Sequence, residues 1–96
     1  MAGLAGTKYT AEDAQINDAG DVIRVYAMHI ISGGTAGIVS LKNGGASGTV
    51  YITEDGSANV GETFVYGTHG VLFPDGCYID VDANTTSVVV AYRKER

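Results

Sequence analysis

Asp80-Val81-Asp82-Ala83-Asn84 places three oxygen-bearing side chains at alternate positions, the spacing of the first half of a calcium loop. Continuing that spacing puts Thr85 where such a loop needs its glycine and Ala91 where it needs its closing glutamate. The acids therefore read as the outward face of a strand running into a turn, with a weak surface cation site as the alternative reading. His29 and His69 are the only histidines and sit in unrelated segments. A zinc or hydrolytic centre needs a third partner in defined geometry, and nothing in their spacing provides one. His29 reads as a core or interface residue and His69 as a loop residue. Cys77 is the only cysteine, so no disulfide framework forms within the chain, and its place in an alternating strand marks it as a small buried hydrophobe. Gly33, Gly34 and Gly37 lack the Lys-Ser/Thr and the helix of a phosphate loop. Tyr9, Tyr26, Tyr51, Tyr66, Tyr78 and Tyr92 are spread along the chain. Exposed on one sheet they would stack on sugars; otherwise they fill sandwich edges and interfaces, the reading taken here. The expectation is no catalytic residue, no cofactor and no metal.

Whatever positions these residues is small. A chain of 96 residues forms one domain over 1–96 and buries roughly 60–68% of its unfolded surface. Fourteen glycines, one proline and no tryptophan, with Val, Ile, Ala and Tyr prominent, favour a turn-rich β protein. A net charge of −5 argues against nucleic-acid binding through a basic face. No run approaches the roughly 18 apolar residues of a membrane span. The start of the chain has neither the charge nor the apolar centre of a secretory signal. Residues 1–10 read as a flexible arm and the basic stretch 93–96 as a solvated tail.

Strand signals recur between turn signals. Val22 to Ile31 is apolar on both faces and reads as a strand that is central or half in a subunit interface. Ile38 to Lys42 alternates, and Asn43-Gly44-Gly45 turns it into Gly48 to Glu54, with Val50 and Ile52 inward and Tyr51 and Thr53 outward. Val60 to Tyr66 and Val71 to Phe73 follow. Pro74-Asp75-Gly76 then turns the chain into Cys77 to Asp82, where Cys77, Ile79 and Val81 share one face. Ser87 to Tyr92 is a β-branched run suited to burial on both sides. Thr10-Ala11-Glu12-Asp13 fits either the capped start of a short helix or an extended segment crossing a sheet edge. The expected fold is all-β: a β-sandwich, jelly-roll or Ig-like, of six to eight short antiparallel strands.

The order Arg24-Val25-Tyr26-Ala27, Ser40-Leu41-Lys42-Asn43-Gly44, Gly48-Thr49-Val50-Tyr51-Ile52, Gly70-Val71-Leu72-Phe73-Pro74-Asp75-Gly76-Cys77-Tyr78-Ile79-Asp80-Val81 and Thr86-Ser87-Val88-Val89-Val90 resembles small all-β structural proteins of tailed bacteriophages. The resemblance spans residues 22–92, and its motifs are those of hairpin and core. It implies a virion component present in many copies, above all a capsid decoration (cement) protein on the capsid surface, made in the bacterial cytoplasm. It implies a major capsid protein as partner and a homo-oligomer, a trimer favoured, with neither nucleic acid nor membrane as partner. Tyr9, Tyr26, Met28, Ile30, Arg93, Lys94 and Arg96 are the candidate interface residues. The alternatives are a tail, fibre or neck component, or a small carbohydrate-binding module with tyrosines beside Asp80 and Asp82.

Overall fold

The computed structural model describes residues 4–95, with the backbone alone described at 4, 5 and 7–9. Within these residues nine strands occur: β1 (Leu4–Thr10), β2 (Ala14–Gln15), β3 (Ile23–Ser32), β4 (Ile38–Asn43), β5 (Thr49–Asp55), β6 (Gly61–Val65), β7 (Val71–Phe73), β8 (Cys77–Val81) and β9 (Thr85–Lys94). Their pairing is nested. The hairpin β4–β5 lies innermost, β3 pairs with both β6 and β7, β2 pairs with β8, and β1 pairs with β9, all antiparallel. One long ribbon is thus folded over on itself into two sheets, ordered β1-β9-β3-β6 and β2-β8-β4-β5. This is the strand order of a jelly roll, the first of the two sandwich types expected. Because β6 and β7 share one position beside β3, nine strands fill eight places.

β3 and β9 form the longest ladder, and a bulge between Val25 and Ala27 breaks its register. The extra residue, Tyr26, reverses the side-chain phase: Ile23 and Val25 are buried ahead of it, Met28 and Ile30 beyond it. The apolar character of both apparent faces of Val22 to Ile31 follows from this switch. Strict alternation would group Arg24, Tyr26, Met28 and Ile30, whereas Arg24 faces outward and Met28 and Ile30 fill the core. On the far side of β3 the chain leaves the sheet between β6 and β7. The Tyr66 amide donates to the Tyr26 carbonyl at 2.9 Å. Gly70, at φ +60°, returns the chain so close to β3 that a Cβ would stand 2.4 Å from the Val25 oxygen.

The core joins Ile23, Val25, Met28, Ile30, Phe73, Val88 and Val90 of the first sheet to Ile16, Val39, Leu41, Ile52, Cys77 and Ile79 of the second layer. The ring of Tyr51 closes one side, tilted 31° against Phe73 at a centroid distance of 5.1 Å. Tyr51 is also the unpaired residue where the register between β4 and β5 shifts, Leu41 facing Ile52 and Lys42 facing Val50. The shift leaves Val50, expected inward, exposed on the outer surface.

Two further expectations change, and the choice left open at Thr10–Asp13 falls to the extended segment. Leu4–Thr10 is not an arm but a strand, in register with β9 from Leu4 opposite Lys94 to Thr10 opposite Val88. Its first residues, Leu4 to Gly6, have little strand propensity of their own; the open edge of β9 supplies the hydrogen-bonding partners. Residues 1–3 lie outside the described residues. Of the basic tail, Arg93 and Lys94 end β9, and the Glu95 amide donates to the Val22 carbonyl at 2.7 Å, while Arg96 lies outside the described residues. The Thr10 hydroxyl does accept the Glu12 amide at 3.0 Å, as a cap would, but no helix follows. The segment runs on along β8, where Asp13 accepts the Val81 amide at 2.8 Å and the Ile16 amide reaches the Cys77 carbonyl at 2.9 Å.

The bulge is testable. Val25→Ala and Met28→Ala should each lower stability by about 2 kcal/mol or more in urea denaturation, although an unbulged strand would expose one of the two. A loss below about 0.5 kcal/mol at either position would exclude the reversed phase.

Candidate assembly surfaces

The bulge and the two sheets determine which side chains face out. The outer surface of the first sheet is built in rows. Arg93, Arg24 and Leu72 lie side by side across β9, β3 and β7; Ala91, Ala27 and Val65 across β9, β3 and β6. Val89, His29 and Thr63 follow, then Ser87, Ile31 and Gly61. Val65 is 72% exposed, Ile31 40% and Leu72 38%. His29 hydrogen-bonds Thr63 through Nδ1 at 2.7 Å. A Cβ on Gly61 would come within 2.7 Å of that imidazole, so glycine is what lets β6 lie alongside it. At the corner, the Arg24 guanidinium donates to the His69 carbonyl at 2.8 Å and lies 3.5 Å from Glu95.

The outer surface of the second sheet differs. Asp55 lies beside Ile38, Thr53 beside Ser40 and Asp80, and Val50 beside Lys42 and Tyr78. Lys42 contacts Asp80 at 2.8 Å, and this hydrogen bond holds its ammonium above the usual lysine range. Ile38 and Val50 are both exposed on this surface.

The Asp-x-Asp-x-Asn spacing is spent on this scaffold. Asp82 Oδ1 accepts the Asn84 amide at 3.1 Å and the Thr85 hydroxyl at 2.9 Å, while the Asp82 amide donates to the Ile38 carbonyl at 3.1 Å. Burial alone would raise the Asp82 carboxyl, but hydrogen bonds involving Ile38, Thr85 and Asn84 outweigh it and hold the carboxyl below its ordinary value. Thr85 in turn sits against Gly37, where a Cβ would approach its hydroxyl to 2.4 Å. Among the described residues no cluster of three His, Cys, Asp or Glu side chains is placed to hold a metal ion.

The remaining candidates disperse. Met28 and Ile30 belong to the core of the chain itself and offer nothing to an interface. Tyr26 is half-buried at the bulge, Arg93 lies on the outer face of the first sheet, and Lys94 is paired with Asp21 at 3.7 Å. The side chain of Tyr9 lies outside the described residues; its backbone stands opposite Val89. Among the described side chains the tyrosines form no shared stacking platform. Tyr66 donates to Glu54 at 3.1 Å across the sandwich, Tyr92 to Asn17 at 3.0 Å, and Tyr78 alone shares a face with Asp80. Ile31 escaped prediction because both faces of β3 look apolar until the bulge is known, and Val65 and Leu72 because their outward placement follows from the register of β6 and β7 on β3. Cys77 is fully buried, and burial pushes its thiol up to about 12.

These features define an all-β sandwich whose notable surfaces are sheet faces. No family model matches the chain, and no curated protein matches it. Among solved structures, a subunit of Bacillus endospore appendages, described as a novel family of disulfide-linked pili, aligns over 97% of this chain and 88% of its own, with a TM-score of 0.54 and 16% identity. At that identity the likeness is one of fold.

Two measurements check this account. With its folded value depressed, Asp82 contributes stability that is present above the ordinary carboxylate range and lost as pH falls through its folded value. Asp82→Asn should therefore flatten the acid limb of the stability profile, and an unchanged limb would contradict the hydrogen-bond assignment. Cys77 should resist a thiol reagent in the native state and react at the rate of global unfolding; fast labelling without denaturant would contradict its burial.

Proposed function

We propose that this chain is a structural subunit of a bacteriophage virion, a decoration protein that stabilises the head by seating on the assembled capsid. The observation that carries the reading is the outer face of the first sheet, where Ile31, Val65 and Leu72 stand exposed beside Ala27, Val89 and Ala91. A sheet face that exposes several large aliphatic side chains in this way is suited to being covered in use. The hairpin and last-strand resemblance supplies the virion, and the jelly-roll order agrees with it, since that architecture recurs in viral capsid domains.

The mechanism is mass action. A subunit that binds the assembled shell and not its dissociated parts stabilises the shell by RT ln(1 + [L]/Kd), repeated at every site. The major capsid protein is then the partner, the capsid surface the location, and a trimer the favoured assembly.

A filament subunit is the second reading, favoured by the fold likeness to the endospore appendage chain. Those pili are disulfide-linked. Here the one thiol lies in the core, so a filament of this chain would cohere without a covalent link through Cys77.

Quantitative mass spectrometry of purified virions tests the first reading. A copy number equal to that of the major capsid protein, or a simple fraction of it, is expected. A count limited to the few copies of a neck or tail would move the chain there, and absence from particles together with filaments in electron micrographs would replace the virion reading with the second.

A further inference from the structure

The two outer faces carry opposite charge. The strands of the first sheet hold Lys8, Arg24, Arg93 and Lys94 against the single acid Glu62; those of the second hold Glu54, Asp55 and Asp80 against the single base Lys42. On the outward rows Arg24, Arg93 and His29 lie among Leu72, Val65 and Ile31, with Glu95 against Arg24 at the corner, whereas Asp55 and Asp80 lie with Lys42 among Ile38, Val50 and Tyr78, so the excess is basic on the first face and acidic on the second. Both faces expose aliphatic side chains.

We propose that copies of this chain stack head to tail, the outer face of the first sheet of one copy against the outer face of the second sheet of the next. The occupant follows from charge. Pairing two first sheets would set Arg24 and Arg93 against a second arginine pair, with one carboxylate on each face, Glu95, already beside Arg24. Pairing two second sheets would set Asp55 and Asp80 against a face whose lysine is already engaged by Asp80. Only the unlike pairing buries the aliphatic residues of both faces while setting the excess arginine charge of one against the excess carboxylate charge of the other, and like charges facing one another across an interface repel. The internal contacts Arg24–Glu95 and Lys42–Asp80 are partly exposed ion pairs, of the kind that contributes little, so their charges can also serve a partner.

The footprint sets the strength. The second sheet is the smaller face: its strands of two, five, six and seven residues, about 4.8 Å apart and rising about 3.3 Å per residue, cover roughly 300 Å² per partner. The total, about 600 Å², lies below the threshold of a stable interface, so a single contact is weak and only an array of contacts is firm. Contact between unlike faces closes into a ring if the rotation permits and otherwise runs open, so a trimer is one product and a stack another. The stacking goes beyond the virion reading and holds on a shell or in a filament alike.

Sedimentation of the whole chain with Arg93→Glu and Asp55→Lys tests it; both sites are on the surface, and circular dichroism confirms that each variant folds. Wild type should self-associate at low salt and dissociate as salt rises. Each variant alone should associate at least about tenfold more weakly, and an equimolar mixture should recover association because the exchanged charges meet their opposites. Loss with Arg93→Glu but none with Asp55→Lys would overturn the proposal in favour of pairing between like faces. Wild type that stays monomeric to millimolar concentration at low salt would also overturn it. Virions that nevertheless carry the protein at capsid copy number would assign the apolar face to the capsid and leave the virion reading intact, so the two failures are separable.

Discussion

The ladder between β3 and β9 is the constraint on which everything else depends. It joins the longest apolar run to the valine-rich last strand, and every other strand of the first sheet is placed by pairing with one of these two. Its bulge at Tyr26 matters as much as its length. Without the phase reversal, one half of β3 would turn its Ile and Val side chains to water and bring Arg24 inward. With it, a single ten-residue strand feeds the core along its whole length and still presents Ala27, His29 and Ile31 outward. Core and exposed apolar face are two results of one inserted residue.

The polar network follows the same economy. Asp82, Thr85, Ser32 and Gly37 tie one end of the sandwich together, Ser32 receiving the Gly37 amide at 2.9 Å. Gln15, Asn43 and Asp75 tie the other, Asn43 exchanging two hydrogen bonds with Asp75 at 2.8 and 3.0 Å. Gln15 also donates to the Gly44 and Cys77 carbonyls. Asp82, which looks chemical in the sequence, closes a loop. Among the described residues no buried side-chain polar atom lacks a partner, so these networks hold the structure in one arrangement. What is left for interaction is the pair of sheet faces, and their opposite charge gives the molecule a direction.

Much of the architecture was legible. The alternation of Cys77, Ile79 and Val81, the Asn43-Gly44 turn with Gly44 at φ +104°, and the Pro74-Asp75-Gly76 turn with Gly76 at φ +110° are local signals that local structure obeys. The Asp75 side chain bonds Asn43 rather than its own turn, because the two loops lie side by side only in the folded molecule. The bulge carries no local signal: Tyr26 is neither glycine nor proline, and its position is set by the β9 register and by the excursion after Val65. β1 was illegible for a similar reason. Leu-Ala-Gly-Thr has little strand character alone, and its conformation comes from a partner more than seventy residues away. The candidate interface suffered accordingly, with Met28 and Ile30 taken into the core by a phase that the strand by itself does not reveal.

The nested pairing also bears on how the molecule comes into being. Only the innermost hairpin, β4 with β5, closes a short loop; each successive pair closes a longer one, and Leu4 meets Lys94 across almost the whole chain. Loop-closure entropy therefore places formation late and makes folding slow for a domain of this size. On the ribosome, β1 and β3 emerge well before β9, so the apolar residues of β3 wait unpaired on that side until residues 85–94 are made. During that interval the nascent protein carries an unfilled strand position, open to β9 of its own chain and equally to that of a neighbour.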